Sequence, residues 1–148
     1  MTTLFTIGYQ GHAIGTFCDI LKAHGITMIV DVRERPFSRK PDFNKKRLSA
    51  HLAAEGIAYT HLVELGTPKP IRDEVRRSKD YAAFFAAIEP QIEAQESALQ
   101  TALDLARSQT CALLCFESAA NECHRRTVAE ALVRRSGGAL EVVHLPAP

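Results

Sequence analysis

The sequence predicts a three-layer α/β domain, Rossmann-like in outline, on a mostly parallel sheet of about five strands. Three observations predict it. Short apolar runs such as Met28–Val32 and Cys111–Phe116 lack strict polar alternation, as strands covered on both faces do. Those runs alternate with segments of helical period. The chain has 148 residues, 46% of them hydrophobic and 24% charged, which suits one domain with a substantial core. That balance excludes a mainly disordered, collagen-like or coiled-coil chain. The expected domain covers 1–148, with its core over about 4–145. An α+β fold with one or two antiparallel edge strands is the alternative, and strand order is not legible.

Each element has its own signal. Leu4–Ile7 reads as a first strand ended by Gly8. Ile14–His24 has helical spacing through Phe17, Ile20 and Leu21, with Gly25 as its stop. Met28–Val32 is a buried strand with Asp31 near its end. Asn44–Glu55 is a helix that Asn44 can cap, with Leu48 and Leu52 on one face and Gly56 after it. Ile57–Thr60 is the third strand. Leu65–Pro70 reads as a loop punctuated by Gly66, Pro68 and Pro70. Tyr81–Glu89 is helical, and Pro90 interrupts it, opens a new helix or kinks a longer one. Glu93–Ala106 continues as helix. Cys111–Phe116 is the fourth strand, Cys123–Arg135 a helix stopped by Gly137–Gly138, and Leu140–His144 the last strand.

Charge and cysteine usage bound the function. Eighteen Lys plus Arg against seventeen Asp plus Glu argue against a protein that clamps a polyanion with its whole surface. Basic residues concentrate, however, between Arg33 and Arg47 and between Arg72 and Lys79. Such runs form either a solvated face or an anion-binding rim. Four cysteines are too sparse for a disulfide scaffold, and Cys18 and Cys111 read as core residues. No segment has the length of a membrane helix, and the first residues lack the pattern of a secretory signal, so the expected location is cytoplasmic.

The chemistry-bearing residues all follow strands. In an open parallel sheet they would meet at its carboxyl edge, where ligands bind. Gly8, Tyr9 and His12 follow the first strand, and their glycine-bearing loop can approach a phosphate or simply turn. It contains neither GxGxxG nor a Walker motif. Asp31 at a strand end either pairs with a nearby arginine or orients a reacting group. Arg33 and Arg35, two apart and extended before Pro36, can form a parallel anion clamp. His61 follows the third strand. After the fourth come Glu117, Asn121, Cys123, His124 and Arg125. Asn121 as a cap would place Cys123, His124 and Arg125 in or near the first turn of the next helix, where backbone donors attract anions and lower a thiol pKa.

Competing readings stand beside these. Cys123 is a candidate nucleophile or a small buried side chain, and His124 an acid–base group or a structural partner. The Cys–five residues–Arg pattern of a cysteine phosphatase fails after both Cys115 and Cys123. Cys115, Cys123, His124 and His61 can be drawn around a zinc ion. Adjacent Cys123 and His124 would point apart on a helix, so no metal ligand is assigned. No cofactor is read from the chain.

The same residues carry a resemblance. Thr6–Tyr9, Asp31–Arg33 with Pro36, Ser38 and Pro41–Phe43, Leu62–Gly66, Cys115–Glu117 and Cys123–Arg126 together resemble the domain-of-unknown-function family 488, nearly end to end. The resemblance implies a compact α/β domain and no settled reaction or cofactor. It also implies that Asp31, Arg33, Glu117, Cys123, His124 and Arg125 share a polar site.

The leading expectation is a protein that binds a small phosphorylated or anionic ligand, a nucleotide among the options, with hydrolysis as the reaction considered. Arg33, Arg35 and Arg125 would hold the anion. Asp31 or Glu117 would orient or deprotonate a group, and Cys123 would attack in a covalent route. The alternatives are a nucleic-acid binding module and a partner-binding domain. A homodimer through the Tyr81–Ala106 region is also compatible with the pattern.

Overall fold

Five strands form one sheet: β1 (Thr2–Gly8), β2 (Met28–Asp31), β3 (Ala58–His61), β4 (Cys111–Cys115) and β5 (Leu140–His144). Their order is β3-β2-β4-β1-β5, and every neighbouring pair is parallel. The computed structural model describes residues 1–148. Because the strands are parallel, their carboxyl ends share one edge. Gly8 lies opposite Cys115, and Asp31 lies between His61 and Leu114. The antiparallel alternative is excluded.

Six helices cover the sheet: α1 (Ile14–Ala23), α2 (Lys45–Ala54), α3 (Lys69–Ser78), α4 (Tyr81–Glu93), α5 (Glu96–Ser108) and α6 (Arg125–Arg135). Phe17 and Leu21 of α1 and Leu48 and Leu52 of α2 form one core with Ile7, Ile29 and Leu114. Ile88, Leu99, Leu103, Val128 and Leu132 form the other core with Leu4, Val30 and Leu113. Alternate residues of β4 enter opposite cores: Cys111, Leu113 and Cys115 on one side, Ala112 and Leu114 on the other. That is the two-residue period of a strand buried on both faces.

The structure corrects several sequence expectations. Helix α3 falls where the reading stopped at a loop and a basic run. It has no fully buried residue, and its apolar stripe is only Ile71 and Val75, which pack against the core among charged neighbours. Pro70 sits in its first turn, where a missing N–H costs nothing. Of the three readings left open for Pro90, the structure selects the longer helix: α4 runs through it to Glu93. β1 starts at Thr2, two residues early, because Thr2 and Thr3 pair with Leu140 and Glu141 of β5. β2 stops at Asp31, β3 is shifted one residue forward, and β4 stops at Cys115. Asn44 precedes α2 but does not cap it. Its Oδ1 accepts instead from the Ser38 N–H at 2.5 Å, tying down the loop after β2. No helix is long and apolar enough to cross a membrane.

Candidate functional site at the carboxyl edge of the sheet

The end of β2 holds a buried ion pair. Asp31 is fully buried and Arg33 nearly so. The Arg33 backbone N–H and Nε donate to Asp31 Oδ1 at 3.1 and 2.9 Å, and Nη2 donates to Oδ2 at 2.7 Å. The Tyr59 hydroxyl donates to the same Oδ2 at 2.5 Å. Burial opposes the Arg33 charge, but the hydrogen bonds to Asp31 outweigh it and hold the guanidinium above its usual pKa. Burial first, then the Asp31 charge, raises the Tyr59 phenol. Arg33 Nη1 donates to the Phe43 carbonyl at 2.8 Å, so the fork is spent on the protein itself. Arg35 turns outward over the Phe37 ring. The two arginines therefore form no parallel clamp, because the Asp31 carboxylate captures the first of them. His61 Nε2 donates to the Arg33 carbonyl at 2.6 Å, which braces this turn.

The loop after β1 packs closely on the loop after β4. A Cβ on Gly8 would lie 1.7 Å from the Glu117 carbonyl oxygen, so only glycine fits beneath that loop. Gly8→Ala is expected to lower stability by about 1–3 kcal/mol, the range for overpacking that main chain must absorb. Urea unfolding checks it, and a variant as stable as wild type would contradict the close packing. Tyr9 is buried, stacked on Phe43 at 4.7 Å with Arg33 over its ring. His12 is 1% exposed, and neither ring nitrogen has a partner. Burial, helped by the Lys40 charge, holds its pKa below the usual value.

His12 belongs to the wall of an open cleft of about 580 Å³ between the β1–α1 loop and residues 39–43. Ala13 offers α1 no side-chain cap, and no carboxylate lies in the first turn. The N–H groups of Ile14, Gly15 and Thr16 find no acceptor in the protein. Arg39 and Lys40 line the opposite wall, and neither is paired with a carboxylate. Lys40 Nζ donates to the His12 carbonyl at 2.6 Å. Asp42, also on the wall, is already engaged by Arg47 and His51.

The third group lies between β4 and α6. Cys123 is extended, His124 occupies the N-cap position, and α6 starts at Arg125. Asn121 is exposed within a short 3-10 turn, Ala120–Glu122, and caps nothing. Cys123 therefore lies before the helix rather than in its first turn. Its side chain and that of His124 converge, with Sγ and Nδ1 3.9 Å apart. Cys123 Sγ is joined to Cys115 Sγ, and the two Cα atoms are 7.5 Å apart. His124 Nε2 donates to the Val32 carbonyl at 2.6 Å, which leaves Nδ1 as the free lone pair. Burial pushes the His124 pKa down to about 4.

Arg125 is fully buried and gathers this loop. Nε donates to Thr6 Oγ1 at 3.0 Å, Nη1 to Cys115 Sγ at 3.2 Å and to the Glu117 carbonyl, and Nη2 to the Ser118 carbonyl at 3.1 Å. None of these acceptors is a carboxylate. Burial pushes its pKa down to about 10, partly offset by the Glu117 charge, so it stays protonated at neutral pH. The Glu117 carboxyl, 3.5 Å from Cys115 Sγ, is raised by its own burial.

The sequence-expected residues thus divide into three groups on one edge: Asp31, Arg33 and His61; Gly8, Tyr9 and His12; and Glu117, Cys123, His124 and Arg125. Arg35 and Asn121 stand apart in solvent. Sequence reasoning misses Tyr59 and assigns Thr6 no role of its own; Cys115 enters only through the zinc set that is drawn and set aside, and Arg39 and Lys40 only as members of the basic run. Cys115 had a usable signal, since it ends a parallel strand while Cys123 opens the next helix, which places both at the same edge.

The family model described as "Domain of unknown function DUF488" matches residues 13–132. The chain belongs to the DUF488 family. No curated protein and no solved structure matches it. In this DUF488 protein the three groups share the carboxyl edge of one parallel sheet.

Proposed function

We propose that this DUF488 protein binds a small phosphorylated or otherwise anionic ligand in the cleft at the start of α1. The observation that carries the reading is the unpartnered, buried His12 beside uncapped first-turn amides and two unpaired cations, Arg39 and Lys40. Helix amides and the helix dipole favour negative charge there. Arginine adds a fork matched to phosphate oxygens. The arginines favoured by sequence, Arg33 and Arg125, serve the interior instead. A smaller hollow of about 380 Å³ is lined by Glu64 and Glu96 and does not suit an anion.

The experiment is calorimetric titration with inorganic phosphate and with sulfate, at low salt. Arg39→Ala and Lys40→Ala are each expected to weaken binding about tenfold, the size of one charged hydrogen bond. Sulfate binding carries the pH test, because sulfate keeps its charge across the range. Burial first, then the Lys40 charge, holds the free His12 pKa below its usual value; Arg39 and Asp42 are the other charged groups on the cleft. A bound anion raises its pKa, so binding takes up a proton and strengthens as pH falls through the pKa of the liganded ring toward that of the free one. His12→Asn is expected to abolish that slope. No binding of either anion by folded protein would end this reading. Tight, steeply salt-dependent binding of a single-stranded oligonucleotide without phosphate binding would move it to a nucleic-acid backbone.

A further inference from the structure

We propose that Cys115, Cys123 and His124, with the two cysteines reduced, form a binding site for a zinc-class divalent cation. Their ligand atoms, two Sγ and one ring nitrogen, all lie within 4.8 Å of one another, and all three residues are buried. Two thiolates with one imidazole are the donor set that zinc prefers. The site is separate from the α1 cleft and does not depend on it.

The backbone spacing favours two ligands over a cross-link. The cysteine Cα atoms are 7.5 Å apart. Disulfides ordinarily span about 4.4–6.8 Å. Two sulfurs on one tetrahedral zinc, each about 2.3 Å from the metal, sit about 3.8 Å apart and relax that demand. Extended Cys123 and N-cap His124 reach the same point although adjacent in sequence, which a helical pair could not do.

The surrounding hydrogen bonds are those that prepare metal ligands. His124 donates its Nε2 hydrogen to the Val32 carbonyl, which fixes the ring and leaves Nδ1 to coordinate. The Arg125 backbone N–H lies 3.4 Å from Cys123 Sγ, and Arg125 Nη1 lies 3.2 Å from Cys115 Sγ. Each sulfur thus receives an N–H donor, which favours the thiolate. Glu117 Oε2, 3.5 Å from Cys115 Sγ, is within reach of a fourth position. Charge also closes. A dication, two thiolates, the Arg125 guanidinium and the Glu117 carboxylate sum to zero. Without the thiolates, Arg125 is a buried cation whose direct acceptors are all uncharged.

The cation and the disulfide exclude each other. A dithiol reductant delivers two electrons and two protons to the sulfur–sulfur bond and leaves as its own disulfide. The cation then displaces the two thiol protons to solvent. His61, the other histidine considered from sequence, is committed to the Arg33 carbonyl and takes no part.

The test uses full-length protein kept in a dithiol reductant. Elemental analysis after dialysis is expected to find one zinc per chain. Cobalt(II) replacement is expected to give thiolate-to-cobalt charge-transfer absorption and the intense ligand-field bands of a tetrahedral site. Cys123→Ser and Cys115→Ser should lose both signals, while Cys18→Ser and Cys111→Ser keep them. The cobalt spectrum of wild type needs no variant, so a variant that fails to fold does not spoil the test. Reduced, folded wild type that gives no thiolate–cobalt absorption overturns the proposal. So does a cobalt spectrum unchanged by Cys123→Ser.

Discussion

Asp31→Ala is expected to destabilise the protein by about 3–5 kcal/mol, because it leaves the Arg33 guanidinium charged and buried without a counter-ion. For a domain whose whole stability is about 5–15 kcal/mol, that approaches unfolding. The carboxylate accepts from Arg33 at three positions and from Tyr59, so all of these donors lose a partner together. The pair itself need not be a net gain. Asp31→Leu combined with Arg33→Met removes both charges and is expected to recover most of the loss. Urea unfolding of Asp31→Leu, Arg33→Met and the double variant closes the cycle. A cost below about 1 kcal/mol for Asp31→Ala would mean that the pair is solvated and free to serve a ligand.

Arg125→Met has a comparable expected cost, about 3–5 kcal/mol, with a local signature. The guanidinium is the shared donor for Thr6 of β1, Cys115 of β4 and the carbonyls of Glu117 and Ser118. Methionine fills part of the space but donates nothing, and those carbonyls are left short of a partner. Arg125→Lys should rescue little, since one ammonium cannot reach acceptors spread over three segments as a planar fork does. Hydrogen exchange is expected to quicken at amides of Phe116–His124 in both variants. Unchanged protection there would show that the loop is held by its own turn and by Gly8 rather than by Arg125.

Both residues stand out in the sequence, but for a different reason from the one the fold supplies. Asp31, Arg33 and Arg125 are polar residues at strand exits and a helix start, and that placement is legible because the sheet is parallel. Their burial is not. Burial depends on Phe43, Tyr59 and Thr6, which come from other segments and carry no charge that would mark them as partners. A sequence pattern reports which residues can hold an anion. It does not report whether a carboxylate two positions away has already taken the donor.

The cysteines make the same point in the opposite direction. Adjacent Cys123 and His124 argue against a shared ligand so long as both are placed on a helix. Helix α6 starts two residues after Cys123, and the extended residue before its cap changes where the side chain goes. Helix α3 was illegible because its buried stripe is reduced to Ile71 and Val75 among charged neighbours.

Local pattern along the chain sets the α/β class, the place of most strands and helices, and the edge on which the polar residues collect. Those follow from local period and from apolar runs, which act over a few residues. The tertiary structure decided the strand order, the spending of Arg33 and Arg125 on the interior, and the meeting of Cys115 with Cys123 and His124. It also brought Arg39 and Lys40, neither paired with a carboxylate, to the wall of the cleft at the start of α1. These depend on contacts between residues far apart in the chain, where the free energy of burial, rather than local preference, selects each partner.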